Sequence, residues 1–353
     1  MKRLSECCID RNNNFNLLRL LGASLVIFGH SYVLLGPRPT PDFFQTHFRV
    51  ISAGQVGVQI FFVISGFLVC QSFVRNPNWV EFLSARMLRI FPALAVALLF
   101  TVALGAAMTR LPAKDFLADP RTLDYFVRNL MLDLRWSLPG VFEGNAFPDV
   151  VNGSLWTLPK EFALYLILLG VGVLGGFTTR AVGNLACALA LALHLQKTGT
   201  WWLGGGDINV DGVMFCFMLG VMLFVNREQV VVSFRWGLAL LFLTVLLVKA
   251  DYYRFVAVQF CIAYWVMVIA YHDKLQLPAL RRVDYSYGLY IYAFPIQQAI
   301  AQAGPTRRLH FYVLLCFLAT LPLAMLSWHL VEKPAMRLRD RIHRLNGKWR
   351  PWG

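Results

Sequence analysis

The stretch FNLLRLLGASLVIFGHSYVLLG, residues 15–36, decides how the rest of the chain is read. It is an apolar run with an arginine near one end and a histidine in its body, about as long as the roughly 20 residues a helix needs to cross a bilayer. As a helix it sets Arg19 and His30 eleven residues apart, about three turns and roughly 16 Å along the axis. They therefore share one face. Both side chains are costly in hydrocarbon, so that face is expected to look into protein or a wet cavity and not at lipid. Two readings stand at this point. The pair belongs to a polar functional track, or Arg19 marks the membrane interface while His30 hydrogen-bonds to a neighbouring helix.

Working outward, the 353 residues are 58% hydrophobic and only 15% charged, too apolar for a soluble enzyme of this length. The expected class is all-α, a polytopic integral membrane protein with about ten transmembrane helices. They are expected near 17–36, 57–74, 90–108, 154–175, 181–196, 209–225, 236–250, 255–271, 286–303 and 311–330. A net charge of +14 suggests nucleic acid at first sight, but the basic residues are spread in a way that sets orientation instead. With the N-terminus inside, 20 of the 33 Lys and Arg fall in inner segments, and six of the outer 13 lie in the single long segment 109–160. Both termini are thus predicted cytoplasmic. Residues 337–353 form a basic cytoplasmic tail suited to anionic lipid, behind a membrane-embedded domain of residues 1–336. The polar lead-in and the long first span predict no cleavable signal. The seven cysteines make no CxxC or Cys/His set, so neither a disulfide framework nor a structural metal is expected.

Along the chain, Pro37, Pro39 and Pro41 make an outer loop after the first span, and His47 beyond it reads as solvated or as a substrate contact. In the second span, Ser65 and Gly66 allow a close backbone approach, with the first span as the expected partner. A Ser65–His30 nucleophile pair is not demanded by the spacing. Arg86 and Arg89, three residues apart at the start of the third span, share a helix face. Arginine forks suit phosphate, and positive-inside anchoring to lipid is the alternative. In the segment 109–153, Phe116, Leu123, Phe126, Val127, Leu130, Met131 and Leu134 recur at helical spacing, as in a helix lying on the membrane surface. The loop that follows is placed where an acceptor binds. Asn152-Gly153-Ser154 matches a glycosylation sequon only formally.

The fourth span opens Ser154-Leu155-Trp156-Thr157-Leu158-Pro159-Lys160-Glu161, which puts Glu161 at about the depth of His30. A carboxylate and an imidazole at one depth can pair; Glu161 pairing with Lys160 or an arginine is the other reading. Asp207, Asp211, Asp251 and Arg254 read as interfacial, and Trp201 and Trp202 as belt aromatics. In the polar ninth span Pro295 frees a backbone carbonyl that something must satisfy. Tyr290 and Gln297 there share a face for either a cavity or helix-to-helix bonding. Pro334 stops or kinks the tenth span.

Taken in order, Arg19 and His30, the run 61–67, Arg86 to Pro92, Ser154-Leu155-Trp156 ahead of Glu161, and Glu332-Lys333-Pro334 resemble the membrane-bound acyltransferase 3 family, over about residues 14–336. The resemblance implies a ten-helix enzyme of the bacterial inner membrane. Such an enzyme takes an acyl group, most often acetyl, from cytoplasmic acyl-CoA and delivers it to a hydroxyl of a surface or secreted glycan outside. It implies that Arg19 and His30 are the signature positions, that Arg86 and Arg89 hold the CoA phosphates, and that Glu161 is the family's glutamate. One departure is visible: Tyr292-Ala293-Phe294-Pro295 stands where many relatives place a histidine, so no second-histidine role is carried over. The chain ends soon after its last helix, so no appended hydrolase-like domain is expected.

The chemistry agrees with the resemblance. A hydroxyl attacks well only as a base removes its proton, and histidine suits that work near neutral pH. The expected catalytic set is His30 as base, Glu161 as its orienting partner and Arg19 along the donor path; acyl-CoA is the co-substrate and no metal is required. The expected partners are the bilayer, acyl-CoA and a glycan or lipid-linked sugar, with no nucleic acid. The competing class is a transporter or flippase for an anionic lipid-linked glycan, using the same arginines as a polyanion track. Transporters often carry inverted repeats, and none is evident here.

Overall fold

The computed structural model describes residues 2–8, 12–36, 41–48, 51–195, 208–247, 251–275, 277, 279–280, 283–304 and 308–338. Outside them lie most of the proline-rich loop 37–40, Trp201, Trp202 and Asp207, and residues 339–353 of the expected tail; of Asp211, Asp251 and Arg254 only the backbone is described. The main helices are α1 (Phe15–Leu34), α2 (Ala53–Arg75), α3 (Trp79–Met108), α4 (Pro120–Leu130), α5 (Thr157–Val173), α6 (Arg180–Leu195), α7 (Ile208–Val225), α8 (Phe234–Leu246), α9 (Asp251–Ala270), α10 (Ser286–Ala303) and α11 (Leu309–Ser327). Short antiparallel strands, β1 (Lys2–Arg3) and β2 (Val231–Val232), make the one sheet among the described residues.

Each of the ten stretches expected to span overlaps a helix among the described residues. Among the described residues, five runs are long and apolar enough to cross a membrane: α1, α2, α3, Gly153–Val173 and Leu309–Leu338. Three shorter apolar helices, Gly212–Val225, Phe234–Leu246 and Val256–Ala270, accompany them. The chain is thus an all-α, multi-pass membrane protein.

The chain forms two compact units. The first comprises Met1–Val26, Pro41–Asn78 and Ala163–Asp284. Its centre is the packing of α2 on α7. At Gly66 any Cβ would run into the Phe217 carbonyl, and at Gly220 into that of Val63, so these two glycines let the helix backbones touch. The close approach foreseen at Gly66 therefore occurs against α7 and not against the first span, which α2 meets at Gly57 and Gly22 instead. The Ser65 hydroxyl bonds Tyr165, 2.9 Å away. At the start of α1, Arg19 pairs with the buried Asp284 at 3.3 Å, and Asn16 donates to the carbonyls of Leu280 and Val283. These bonds hold the connection that leads into α10.

The second unit comprises Ile27–Thr40, Trp79–Phe162 and Tyr285–Gly353. Here α10 is the central element, buried on nearly every side and packed on α3 and α11. Because Pro295 has no N–H, the Ile291 carbonyl four residues back loses its helical donor. Asn152 supplies a replacement at 2.8 Å, while its oxygen caps Ser154 at the start of the 3-10 turn Gly153–Trp156. The sequon residue is thus a buried structural clamp.

The segment 109–152 is ordered against this frame. It carries a helix, α4, shorter than the expected run, since Phe116 lies in a separate short helix, Ala113–Ala118, and Leu134 lies past the end; Leu123, Val127 and Met131 are exposed along one side. The opposite side, Thr122, Tyr125 and Asn129, is buried against the protein. Gln298 holds the rest of the segment, donating to the Phe147 and Val150 carbonyls and accepting from the Asn145 amide.

Candidate active site

The second unit can be measured along α10. Tyr287, Phe294 and Ala301 are spaced seven residues apart, so they lie on nearly one face at steps of about 10 Å. Each marks a level.

At the first level, the Tyr287 hydroxyl donates to the Ile90 carbonyl at 3.1 Å, and the Arg89 guanidinium sits over the Tyr287 ring at 5.7 Å. Arg89 also reaches Glu332 at 3.4 Å, and the other oxygen of that carboxylate accepts from Ser327. Glu332 is only 1% exposed. It is turned inward by a π-helical turn, Trp328–Glu332, that extends α11 and is closed by the Lys333 N–H on the Trp328 carbonyl. Single-turn π segments of this kind recur at functional sites. Arg86, one turn before Arg89, lies over the Phe82 ring at 5.9 Å.

At the second level, the His30 ring meets Phe294 edge to face, with centroids 5.0 Å apart and planes at 78°. Phe294 is itself wedged against Gly153, where any side chain would strike the ring. The imidazole is half-buried. Its Nδ1 is buried and has no hydrogen-bond partner among the described residues. Near this level Thr157 and Tyr290 share a hydroxyl–hydroxyl bond of 2.8 Å. Glu161, one helical turn beyond Thr157, lies within electrostatic reach of Tyr290.

At the third level a cavity of about 330 Å³ opens beside Ala301 and Gln302. Its wall includes Leu34, four residues beyond His30 on α1 and so on the same helix face. Leu35 lines it too, and the remaining wall comes from the segment 110–146.

Residues 12–329 match the family model described as an acyltransferase domain. The chain belongs to the acyltransferase 3 family. This acyltransferase is 32% identical to an O-acetyl transferase of Shigella phage Sf6, over 92% of the chain and 96% of the relative. It is 28% identical to nodulation protein 10 of Rhizobium leguminosarum bv. viciae, over 96% and 97%. No solved structure matches it. The match makes the protein a membrane-bound acyltransferase, as the ordered landmarks implied.

Of the residues singled out in the acyltransferase sequence, Arg86, Arg89, His30 and Glu161 lie in the second unit and Arg19 in the first. No hydrogen bond or ion pair joins His30 to Glu161 among the described residues: the ring packs on Phe294, and Glu161 lies within electrostatic reach of Tyr290. Tyr290 and Gln297 bond from helix to helix, Gln297 donating to the Ile27 carbonyl and Ser31 hydroxyl, which resolves the choice left open between lining and bonding. Sequence reasoning missed two carboxylates, Asp284 and Glu332, as arginine partners. Each had a visible signal, an acid next to a polar or proline-containing helix end.

Proposed function

We propose that this acyltransferase moves an acetyl group from cytoplasmic acetyl-CoA to a hydroxyl of an extracytoplasmic glycan, working in a bacterial inner membrane. The observation that carries the reading is the alignment on α10: an arginine-bearing end at Tyr287, the His30 ring at Phe294, and a polar cavity at Ala301. A donor with an anionic head and a thioester at its far end suits the first two levels, and a hydroxylated acceptor suits the second and third.

In this reading Arg86 and Arg89 engage the nucleotide phosphates of CoA. The acceptor hydroxyl oxygen attacks the thioester carbonyl carbon while His30 removes its proton. The C–O bond forms, the C–S bond breaks, and the proton returns through His30 to the CoA thiolate. Because Nδ1 is enclosed, Nε2 is the nitrogen that faces the reaction. Arg19 and Glu161 take the roles the family resemblance implies, as signature arginine and as the glutamate behind the Ser-Leu-Trp motif. The acyltransferase name of the phage relative supports acetyl as the group and oxygen as its destination.

The test is transfer in liposomes. Purified protein given labelled acetyl-CoA and alkali-deacetylated surface glycan from the producing cells is expected to label the glycan. His30→Ala is expected to lower turnover by about 10²–10⁴-fold, the scale of general-base catalysis, with insertion and thermal stability retained. Near-normal turnover in that variant removes His30 as the base.

A further inference from the structure

Three residues past Phe294 on α10, and so on the same helix face, stands a glutamine that the proposed transfer does not use. Gln297 is 0% exposed, so whatever it does is done through its neighbours and not on a substrate. We infer that Gln297 is a positioning residue for His30: its amide clamps the turn of α1 that carries the imidazole and so sets the height and rotation of the ring. The inference rests on the transfer reaction proposed above, in which His30 is the base.

The clamp uses both amide hydrogens. Gln297 Nε2 donates to the Ile27 carbonyl and to the Ser31 hydroxyl, each at 2.9 Å. The Ser31 hydroxyl in turn donates to the Ile27 carbonyl at 2.7 Å, so three polar atoms close a small ring of bonds. Because a carbonyl can only accept, the amide is held with its nitrogen toward α1. The two acceptors bracket His30, Ile27 three residues before it and Ser31 directly after, so clamp and imidazole occupy a single helical turn. On the α10 side, the Tyr312 hydroxyl donates to the Gln297 carbonyl at 2.7 Å. All of these residues belong to the second unit.

Two observations set this apart from ordinary helix-to-helix bonding. A catalytic base is commonly aimed by a third group bonded to it, but His30 Nδ1 is buried with no partner among the described residues. The ring's aim is therefore left to its edge-to-face contact with Phe294 and to the backbone beneath it. In addition, Gln297 Oε1 is buried with no partner among the described residues. A stranded acceptor costs stability, and interhelical bonds inside a membrane contribute only modestly to association. An apolar side chain of the same length would join the two helices as well; what the amide adds is placement. Misplacing a reacting group by about 1 Å can cost on the order of a hundredfold in rate.

The experiment is a double-mutant cycle on the full-length protein in liposomes, with labelled acetyl-CoA and the alkali-deacetylated glycan. Gln297→Met keeps length and removes both donors, and Ser31→Ala removes one of the two acceptors. Each is made in the wild-type and in the His30→Ala background. In the wild-type background Gln297→Met is expected to lower kcat at least about tenfold and Ser31→Ala severalfold, with the apparent KM for acetyl-CoA and for glycan kept within about twofold. In the His30→Ala background neither is expected to change the residual turnover by more than about twofold, because the group they aim is gone. Should Gln297→Met not insert as a folded protein, Ser31→Ala decides by the same comparison. Equal fold losses in the two backgrounds, or wild-type kcat in both variants, overturn the positioning role and leave the transfer reaction intact. Near-normal turnover in His30→Ala alone, or no labelling of glycan by the wild-type protein, overturns the reaction on which the role rests.

Discussion

At the scale of single residues, the two arginines predicted to act together have different surroundings. Arg89 is 22% exposed and paired with a carboxylate that is 1% exposed, and removing one partner of such a pair strands the other charge, at a cost of about 3–5 kcal/mol. Arg86 lies over an aromatic ring instead. The two are therefore separable by experiment. Arg89→Ala is expected to lower the melting temperature in detergent markedly, and Glu332→Gln to lower it less, because the amide oxygen still accepts from Arg89 while the amide nitrogen turns to donate to the Ser327 hydroxyl. Arg86→Ala is expected to keep the melting temperature and to raise the apparent KM for acetyl-CoA several-fold. Equal thermal shifts for the two alanine variants, with no change in KM for either, return both arginines to structural work.

At the scale of elements, α10 depends on a repair made from another part of the chain. Pro295 leaves the Ile291 carbonyl without its helical donor, and Asn152 restores the bond while capping the turn that begins the next helical run. Asn152→Ala leaves that buried carbonyl unsatisfied and uncaps Ser154, for a loss of about 1–3 kcal/mol per stranded group. Pro295→Ala restores an N–H within α10, so the double variant is expected to recover part of the stability lost by Asn152→Ala. Thermal unfolding of the two single variants and the double variant measures the coupling; strict additivity would show that Asn152 acts only through Ser154. The sequence made the need legible and not the partner. A proline in an apolar span announces a free carbonyl, but which side chain reaches it depends on how a segment about 140 residues away folds back. The same limit applies to Gly66, whose small size is local information while its partner α7 is not. It applies equally to Asp284 and Glu332, whose arginines lie more than 240 residues distant.

At the scale of the whole molecule, the positions of the apolar helices were readable because a bilayer demands long apolar runs, and the order of the landmarks was enough to name the family. A depth match between His30 and Glu161 does not by itself make a pair, since depth fixes one coordinate and packing fixes the other two. Sidedness now becomes the decisive property of the acyltransferase. The level at Tyr287 carries Arg89, and the chain's basic excess lies in segments expected on that face, whereas the level at Ala301 carries a cavity whose charges balance. In the proposed reaction, donor and acceptor are consumed from opposite faces. In sealed inside-out vesicles with glycan trapped in the lumen, acetyl-CoA added outside is expected to label the glycan. In right-side-out vesicles the same addition is expected to leave it unlabelled until the donor is loaded within. Labelling by a membrane-impermeant maleimide at Cys7 and Cys8, which lie beside the N-terminal strand, reports which face is exposed in each preparation. If transfer proceeds only when donor and glycan share a compartment, the alignment along α10 is a packing arrangement and not a route across the membrane.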